Sequence, residues 1–418
     1  MEQRKLLRTI EKAASQKFES EAELFRKILG QLVNRESVNI TGGRIWKLNP
    51  ELKGYELLYQ AGRVQKIKKG FLLPLTDYPI FKMIVEQRTI LASETNETLR
   101  SKGIFRYSAS GAGIKIAVDG SVYYEFLVAV NSENIDDSLR YSLNIIATVL
   151  TSRLKEWRLS SSRKNLFKDL DKAKQLQRSI LPDHQHEFYH YDIFGITIPA
   201  EILGGDFFDY VNIGPDEDRL GIVVGDAASK GLSAAAEAMY ISGALRMASS
   251  FQIKISPMMF RLNNLINRIF ADDRFCSMFY GELSNDKKGL FLYANAGHNP
   301  ALFYSKHKNE FIYLNPTGPL LGPAPNSRYE TDSINFAPGD ILIIYSDGIT
   351  EAANNKFQFY EEKRLLKTVK KNIKLDLDAK NMAYAIIQSV IKFSTQDSKY
   401  QDDKTVVVIK RKVVDEVK

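Results

Sequence analysis

The sequence predicts an α+β protein in three stretches. Residues 18–157 mix helix and strand patterns, residues 158–182 form a helical connector, and residues 183–412 read as antiparallel sheets with helices packed outside. Two patterns carry this reading. Strand-length apolar runs such as Phe126–Val130 and Ile341–Tyr345 alternate with longer segments of helical periodicity. The last stretch also groups its strands before and after its helices, unlike the regular strand–helix alternation of a parallel sheet.

In the first stretch, Glu21–Val33 sets Ala22, Phe25, Leu29 and Leu32 at helical spacing. Arg44–Leu48, Tyr55–Ala61 and Tyr123–Val130 read as strands, and Leu139–Trp157 closes the region with Leu143, Ile146, Leu150 and Leu154 on one face. In the connector, Leu159, Leu166, Ala173 and Ile180 recur every seven residues, Leu170 fills the seam, and Pro182 stops the helix. This fits either a short coiled coil, which would make the protein a homodimer, or a surface helix packed on its own domain. The third stretch offers strands at Tyr191–Ile198, Phe207–Ile213, Leu220–Val224, Phe275–Leu283, Gly289–Ala294, Ile341–Tyr345 and Thr405–Ile409. Helices are expected at Ser233–Ser249, Pro257–Phe270 and Ala379–Ser394.

Composition narrows the function classes. Of 418 residues, 44% are hydrophobic and 26% charged, enough apolar material for buried cores. The single cysteine, Cys276, excludes a disulfide framework and a cysteine zinc site, and the five histidines form no HExxH pair. No apolar run reaches 18 residues and the start, Met1-Glu-Gln-Arg-Lys, lacks a signal-peptide core, so a soluble, cytoplasmic protein without a membrane span is expected. The net charge is +8, with 25 Lys/Arg against 18 Asp/Glu in residues 1–160 and 33 against 32 thereafter. The bases are scattered among acids, with only Lys66–Lys69 clustered in part, so no nucleic-acid partner is expected.

The informative residues are aspartates at strand ends. Gly204-Gly-Asp206 heads one strand, Leu220–Val224 runs into Gly225-Asp226, Ile341–Tyr345 into Ser346-Asp347-Gly348, and Gln401-Asp402-Asp403 precedes the last strand. A single aspartate there is an ordinary turn or cap residue. Four converging on one end of a sheet would repel and raise each other's pKa, and a hard divalent cation, Mg2+ or Mn2+, would resolve that repulsion.

Six strings follow in order: Glu201-Ile-Leu-Gly-Gly-Asp-Phe-Phe-Asp209, Val224-Gly-Asp-Ala-Ala-Ser-Lys-Gly231, Ala296-Gly-His-Asn-Pro300, Pro338-Gly-Asp340, Tyr345-Ser-Asp-Gly-Ile-Thr-Glu351 and Asp402-Asp-Lys-Thr405. Together they resemble the SpoIIE/RsbU-type branch of the metal-dependent Ser/Thr protein phosphatases, the PPM or type 2C-like superfamily, over residues 170–410. Gln177-Arg-Ser-Ile-Leu-Pro182 resembles that branch's lead-in helix. The resemblance implies a PPM-type β-sandwich flanked by helices and a site for two Mn2+ or Mg2+ ions. Asp226 would bridge both and the Ala227 carbonyl would ligate one. Asp206, Asp347 and Asp402 would supply the other carboxylates, directly or through water. A metal-bridging water or hydroxide held by these aspartates would be the nucleophile on a phosphoserine or phosphothreonine. It also implies a phosphoprotein substrate of the STAS (anti-anti-sigma) type in a partner-switching pathway. The other class to weigh is a catalytically silent phosphatase fold acting as a binding module, against which the presence of all four carboxylates speaks.

Several positions depart from the family pattern. Ser229 stands where glycine is usual, Ala228 replaces a serine and falls where eukaryotic relatives carry a histidine general acid, and Tyr360 stands where glycine commonly follows Phe359. Four residues are expected around the ligands rather than on them. His298 reads as a buried or turn-stabilising histidine in preference to a substrate contact. Strand alternation turns Asp209 away from Asp206, and Asp403 is likewise read as supporting or solvent-facing. Lys230 either draws in phosphate or is a solvated loop residue. Glu351 is expected to cap or brace its loop. Gly204-Gly-Asp-Phe-Phe208 superficially resembles the GG(D/E)EF loop of diguanylate cyclases, which leaves the Asp347 and Asp402 motifs unexplained, while Gly225–Gly231 fails the Walker A order.

The first stretch, residues 18–157, resembles a GAF domain through Gly43-Arg-Ile-Trp-Lys-Leu48, Tyr55-Glu-Leu-Leu-Tyr-Gln-Ala-Gly62 and Tyr123–Val130. That implies a sensor domain answering an unidentified small-molecule or protein effector. Trp46 and Tyr59 are read as core residues in preference to pocket walls.

Overall fold

The computed structural model describes residues 18–33, 40–95, 97–101, 106–132, 135–214, 217–270, 273–286, 288–395 and 401–413. The chain divides into two compact units, residues 1–166 and 167–418.

The first unit holds helix α1 (Glu21–Val33), strands β1 (Ile40–Asn49), β2 (Gly54–Gly62) and β3 (Leu72–Pro74), helix α2 (Ile80–Gln87), β4 (Thr89–Ser93), the short α3 (Glu97–Ser101), β5 (Arg106–Val118), β6 (Ser121–Ser132) and the first part of α4 (Asp137–Ile180). The strands form one antiparallel sheet in the order β3-β2-β1-β6-β5-β4. Alternation along β6 sends Phe126, Val128 and Val130 to one face, where they meet Phe25 and Leu29 of α1 and Leu143, Ile146 and Leu150 of α4. The opposite face packs Trp46, Tyr55, Leu57 and Leu127 on Phe81 and Ile84 of α2. Trp46 is a core residue, and it also lines a cavity of about 50 Å3 with Arg44, Tyr78 and Tyr107.

Strand β5 escaped the sequence reading. Its Ser108-Ala-Ser-Gly-Ala-Gly113 run has no β-branched or aromatic residue. The strand is held instead by buried hydroxyls, Ser108 Oγ donating to the Ile90 carbonyl (3.0 Å) and Thr89 Oγ1 sharing a proton with Ser110 Oγ (2.7 Å). The two helices expected at 139–157 and 158–182 form one 44-residue helix, α4, because nothing between Asp137 and Ile180 breaks it.

The second unit is a two-sheet sandwich. Its elements are β7 (Gln185–Phe188), β8 (Tyr191–Ile198), β9 (Asp206–Ile213), β10 (Arg219–Ala227), α5 (Gly231–Ser250), α6 (Ile255–Ile269), β11 (Cys276–Ser284), β12 (Leu290–Ala296), β13 (Ala301–Ser305), β14 (Glu310–Leu314), β15 (Asp332–Asn335), β16 (Ile341–Tyr345), the short α7 (Asp347–Thr350), α8 (Glu361–Lys374), α9 (Ala379–Phe393) and β17 (Lys404–Arg411). The sheets run β15-β12-β11-β10-β9 and β14-β13-β16-β17-β8-β7, every pair antiparallel. Their inner faces interdigitate through Phe208, Ile222, Val224, Phe291, Phe336, Ile344 and Val407. Helices α5 and α6 cover the outer face of the first sheet through Ile241, Leu245 and Met259, while α8 and α9 cover the second through Leu365, Ile386 and Val390.

Helix α8 was not expected from sequence, since its run Glu361-Glu-Lys-Arg is almost wholly charged. Only Leu365, Val369 and Asn372 are buried, a narrow stripe that suffices for a surface helix. Tyr360, the glycine-to-tyrosine departure, belongs to the same packing: it is buried, its hydroxyl reaches Ser389 Oγ (2.6 Å) and Thr368 Oγ1 (2.9 Å), and its ring meets Phe393 edge-on. Among the described residues no helix is long and apolar enough to cross a membrane.

Candidate metal centre

All four aspartates lie at one end of the sandwich, and the antiparallel ladders put them there. Asp206 opens β9 and faces Asp226, near the end of β10, as a direct cross-strand pair. In the other sheet β16 pairs with β17, so Asp347, just past the end of β16, neighbours Asp402 and Asp403, just before β17. Ser346 staples this corner: its backbone N–H donates to the Thr405 carbonyl (3.1 Å), and its Oγ accepts from the Thr405 N–H (3.0 Å).

Close approach of backbone is required at two glycines. A Cβ on Gly204 would stand 2.4 Å from Asp403 Oδ2, and one on Gly348 would stand 2.0 Å from the Asp403 carbonyl. Asp403 is thereby locked in place, and it is buried, not solvent-facing as one of its sequence readings allowed. Its carboxylate accepts three backbone N–H groups, from Ala200 (2.7 Å), Gly205 (2.6 Å) and Asp206 (3.1 Å), and so sets the loop that delivers Asp206.

Asp209 does face away from Asp206, as alternation requires, yet it is 1% exposed. It looks into α5, where Arg246 clamps both its oxygens (Nε to Oδ2 2.6 Å, Nη2 to Oδ1 2.9 Å) and Ser242 adds a third bond. Arg246 Nη2 also donates to the Ile180 carbonyl at the end of α4 (2.9 Å), and Gln177 Nε2 donates to the Gly204 carbonyl (2.7 Å). His298 is buried, with Nδ1 2.7 Å from Ser277 Oγ beneath Asp226. Its Nε2 is turned to the Tyr345 backbone without a well-formed hydrogen bond. Burial pushes its pKa down to about 4, so it is a neutral structural histidine at pH 7. Asp340 of the Pro-Gly-Asp turn likewise accepts the Lys306 and Ala337 N–H groups. Glu351 follows α7, its N–H donating to the Asp347 carbonyl (2.7 Å), and its charge weighs on Asp347.

The loop after Asp226 is braced from α5 by a residue that sequence reasoning missed. Ser229 Oγ donates to Glu237 Oε2 (2.8 Å), and this buried glutamate of α5 is paired with Arg274. The Ala228 N–H donates to the Phe275 carbonyl (3.0 Å), fixing the backbone beside Ala227. Lys230, two-thirds exposed, places Nζ 3.3 Å from Asp402 Oδ2. No local sequence signal marks Glu237 or Arg246, since their partners lie 8 and 37 residues away.

The electrostatics follow from crowding. Burial raises the Asp206 carboxyl well above the ordinary range, and the charges of Asp226 and Asp403 add to it. Asp226 is pushed up to about 7, by burial first and then by Asp347, Asp402 and Asp403; Asp347 is pushed up to about 6, by burial and then Asp402. Asp206 Oδ2 is buried with no hydrogen-bond partner. Among the described residues no group of three or more His, Cys, Asp or Glu side chains is placed to hold a metal ion as the side chains stand. Asp402 leans on Lys230. The donor chemistry nonetheless fits a hard divalent cation: every donor is an oxygen, one is a buried orphan, and three carboxyls resist ionising because they are buried and crowded by like charge.

This crowding predicts an inverted pH dependence of stability. Unfolded carboxyls titrate near 4, so between about pH 4 and 7 the folded chain holds more protons than the unfolded one, and stability falls as pH rises through that window. In chelator, urea unfolding of the wild type relative to Asp226→Asn should show a deficit at pH 7.5, roughly 1–3 kcal/mol, that shrinks at pH 5. A difference that does not change with pH would contradict the crowding.

Residues 216–412 match the family model described as Stage II sporulation protein E (SpoIIE). The phosphoserine phosphatase RsbU of Bacillus subtilis is 27% identical over 281 residues, 67% of this chain and 81% of that protein. Protein IcfG of Synechocystis is 28% identical over 334 residues, 70% of this chain, and this chain spans 49% of that protein. Among solved structures, the SiaA-PP2C domain of Pseudomonas aeruginosa shares the fold, with a TM-score of 0.50 at 18% identity, covering 60% of this chain and 99% of that domain. The match to the SpoIIE model covers the strands and helices from residue 216 to residue 412, just under half of the chain.

Proposed function

We propose that the chain is a metal-dependent phosphoprotein phosphatase acting on phosphoserine or phosphothreonine of an STAS-type regulatory protein. The carrying observation is the register pair Asp206–Asp226, placed beside Asp347 and Asp402 with its protons held abnormally tightly. The match of residues 216–412 to the SpoIIE model and the likeness to RsbU support the substrate class.

Asp226 and the Ala227 carbonyl, with Asp206, Asp347 and Asp402, would hold two Mn2+ or Mg2+ ions. When bound, such ions supply charge neutralisation at the phosphoryl oxygens and acidify water. The chain's own part is positioning. Asp403 fixes the Asp206 loop, the Ala228 N–H bond to Phe275 fixes the peptide of the Ala227 carbonyl, Ser229 and Glu237 brace the loop beyond it, and exposed Lys230 offers a cation to an arriving phosphate. Two other candidate groups stand aside: Cys276 is fully buried with its thiol pKa pushed up, and His298 is neutral and enclosed. Ala228 offers no proton where a histidine acid stands in eukaryotic relatives, so the leaving oxygen takes its proton from solvent.

The N-terminal unit serves in this reading as a GAF-like sensor for an unidentified effector, with its six-stranded sheet and the Arg44–Trp46 cavity in support. The chain acts in the cytoplasm, which its lone buried thiol suits. Along α4, Leu159 and Leu166 are 63% and 61% exposed at heptad spacing, which supports a homodimer paired through this helix.

Hydrolysis of p-nitrophenyl phosphate should require Mn2+ or Mg2+ and should fall at least a hundredfold in Asp226→Asn (order of magnitude,). Turnover independent of metal, or retained in that variant, would sink the reading. For the dimer, sedimentation should show Leu159→Glu/Leu166→Glu as a monomer; a dimer that survives both charges would place the interface elsewhere.

A further inference from the structure

Beside the four aspartates runs a groove of about 450 Å3, lined by the last turns of α4 and by the segments around Thr197 and Gly204, with Asp206 among its walls. We propose that this groove receives the segment flanking the phosphorylated residue of the substrate, and that Lys174 and Arg178 select an acidic segment. The proposal rests on the phosphatase reading and names the substrate feature that the site would recognise.

The geometry comes from one helical face. Lys174, Gln177, Arg178 and Leu181 stand at i, i+3, i+4 and i+7, and all line the groove. Gln177 is tied by its 2.7 Å bond to the Gly204 carbonyl, two residues before Asp206. The two cations therefore flank an anchor that is itself within roughly 7 Å of chain from the metal centre. An extended peptide advances about 3.3 Å per residue, so side chains some two to four residues from the phosphorylated residue come level with them.

The charge balance favours an acidic occupant. Among the described residues neither Lys174 nor Arg178 forms an ion pair, whereas Lys172, two residues away, is already paired with Asp169 (3.2 Å). Asp183 also lines the groove, and Asp206 would be taken up by the metal ions in the phosphatase reading, which would leave two cations against one acid. Two exposed cations beside a reaction centre raise encounter rate and set specificity more than they add binding strength.

The test compares phosphoserine peptides that differ only in glutamate or lysine flanks, on the Mn2+-loaded full chain and its Lys174→Glu/Arg178→Glu variant. The wild type should favour the acidic peptide in kcat/KM by roughly fivefold to twentyfold, the difference lying in KM and fading with salt. The charge-reversed variant should prefer the lysine peptide. Equal kcat/KM for both peptides, or an acidic preference that persists in the variant, would overturn the groove while leaving the phosphatase reading intact. Fluorescence anisotropy with the same labelled peptides reads the groove without turnover. Binding that follows the predicted charges with no hydrolysis would uphold the groove and count against the phosphatase.

Discussion

Asp206 and Asp226 face each other across an antiparallel ladder at the end of a sandwich whose interior is otherwise apolar. Two full charges about 4 Å apart repel by roughly 4 kcal/mol even at the effective dielectric of a protein surface. Such a pair persists only where the backbone leaves it no retreat. Asp403 supplies that constraint by drawing three N–H groups of the 200–206 loop onto one carboxylate, and Gly204 and Gly348 let the chain come close enough for it to do so. Outside the sheet, Arg246 neutralises Asp209, which would otherwise be a further uncompensated charge in the same strand. The acid cluster is thus built from unpaired carboxylates held in place by braced ones, Asp403 and Asp209.

The departures from the family pattern find physical counterparts in this chain. Where a glycine loop would follow Asp226, Ser229 binds Glu237, and Arg274 keeps that glutamate compensated. A flexible glycine is replaced by a side-chain anchor on the loop, while the Ala228 N–H bond to Phe275 holds the peptide of the Ala227 carbonyl. Tyr360 fills the junction of α8 and α9 and ties them through Thr368 and Ser389. Neither change touches a proposed ligand.

The strands that carry the site were legible from apolar runs bounded by Gly–Asp or Ser–Asp steps: β16 runs from Ile341 to Tyr345 as the pattern predicts, and β9 and β10 contain the expected runs Phe207–Ile213 and Leu220–Val224. So was the distinction between Asp206 and Asp209, which rests only on the two-residue period of a strand. The unread parts depend on information that no local window contains. Serine-rich β5 is stabilised by buried hydroxyls, α8 by three buried positions in a charged run, and the braces Glu237 and Arg246 by partners brought near only by folding. Asp403 looks like a neighbour of a ligand in sequence; only the folded loop shows it accepting three backbone donors.

If crowding is what makes this end of the sandwich a cation site, then a bound cation must displace the protons that crowding holds. Calorimetric titration of Mn2+ into the full chain at pH 6.5, in two buffers of different ionisation enthalpy, measures that release directly. The account predicts binding accompanied by net proton release, reduced in Asp226→Asn because the amide has no proton to give up. Mn2+ binding with the same heat in both buffers, or no binding at all, would contradict it.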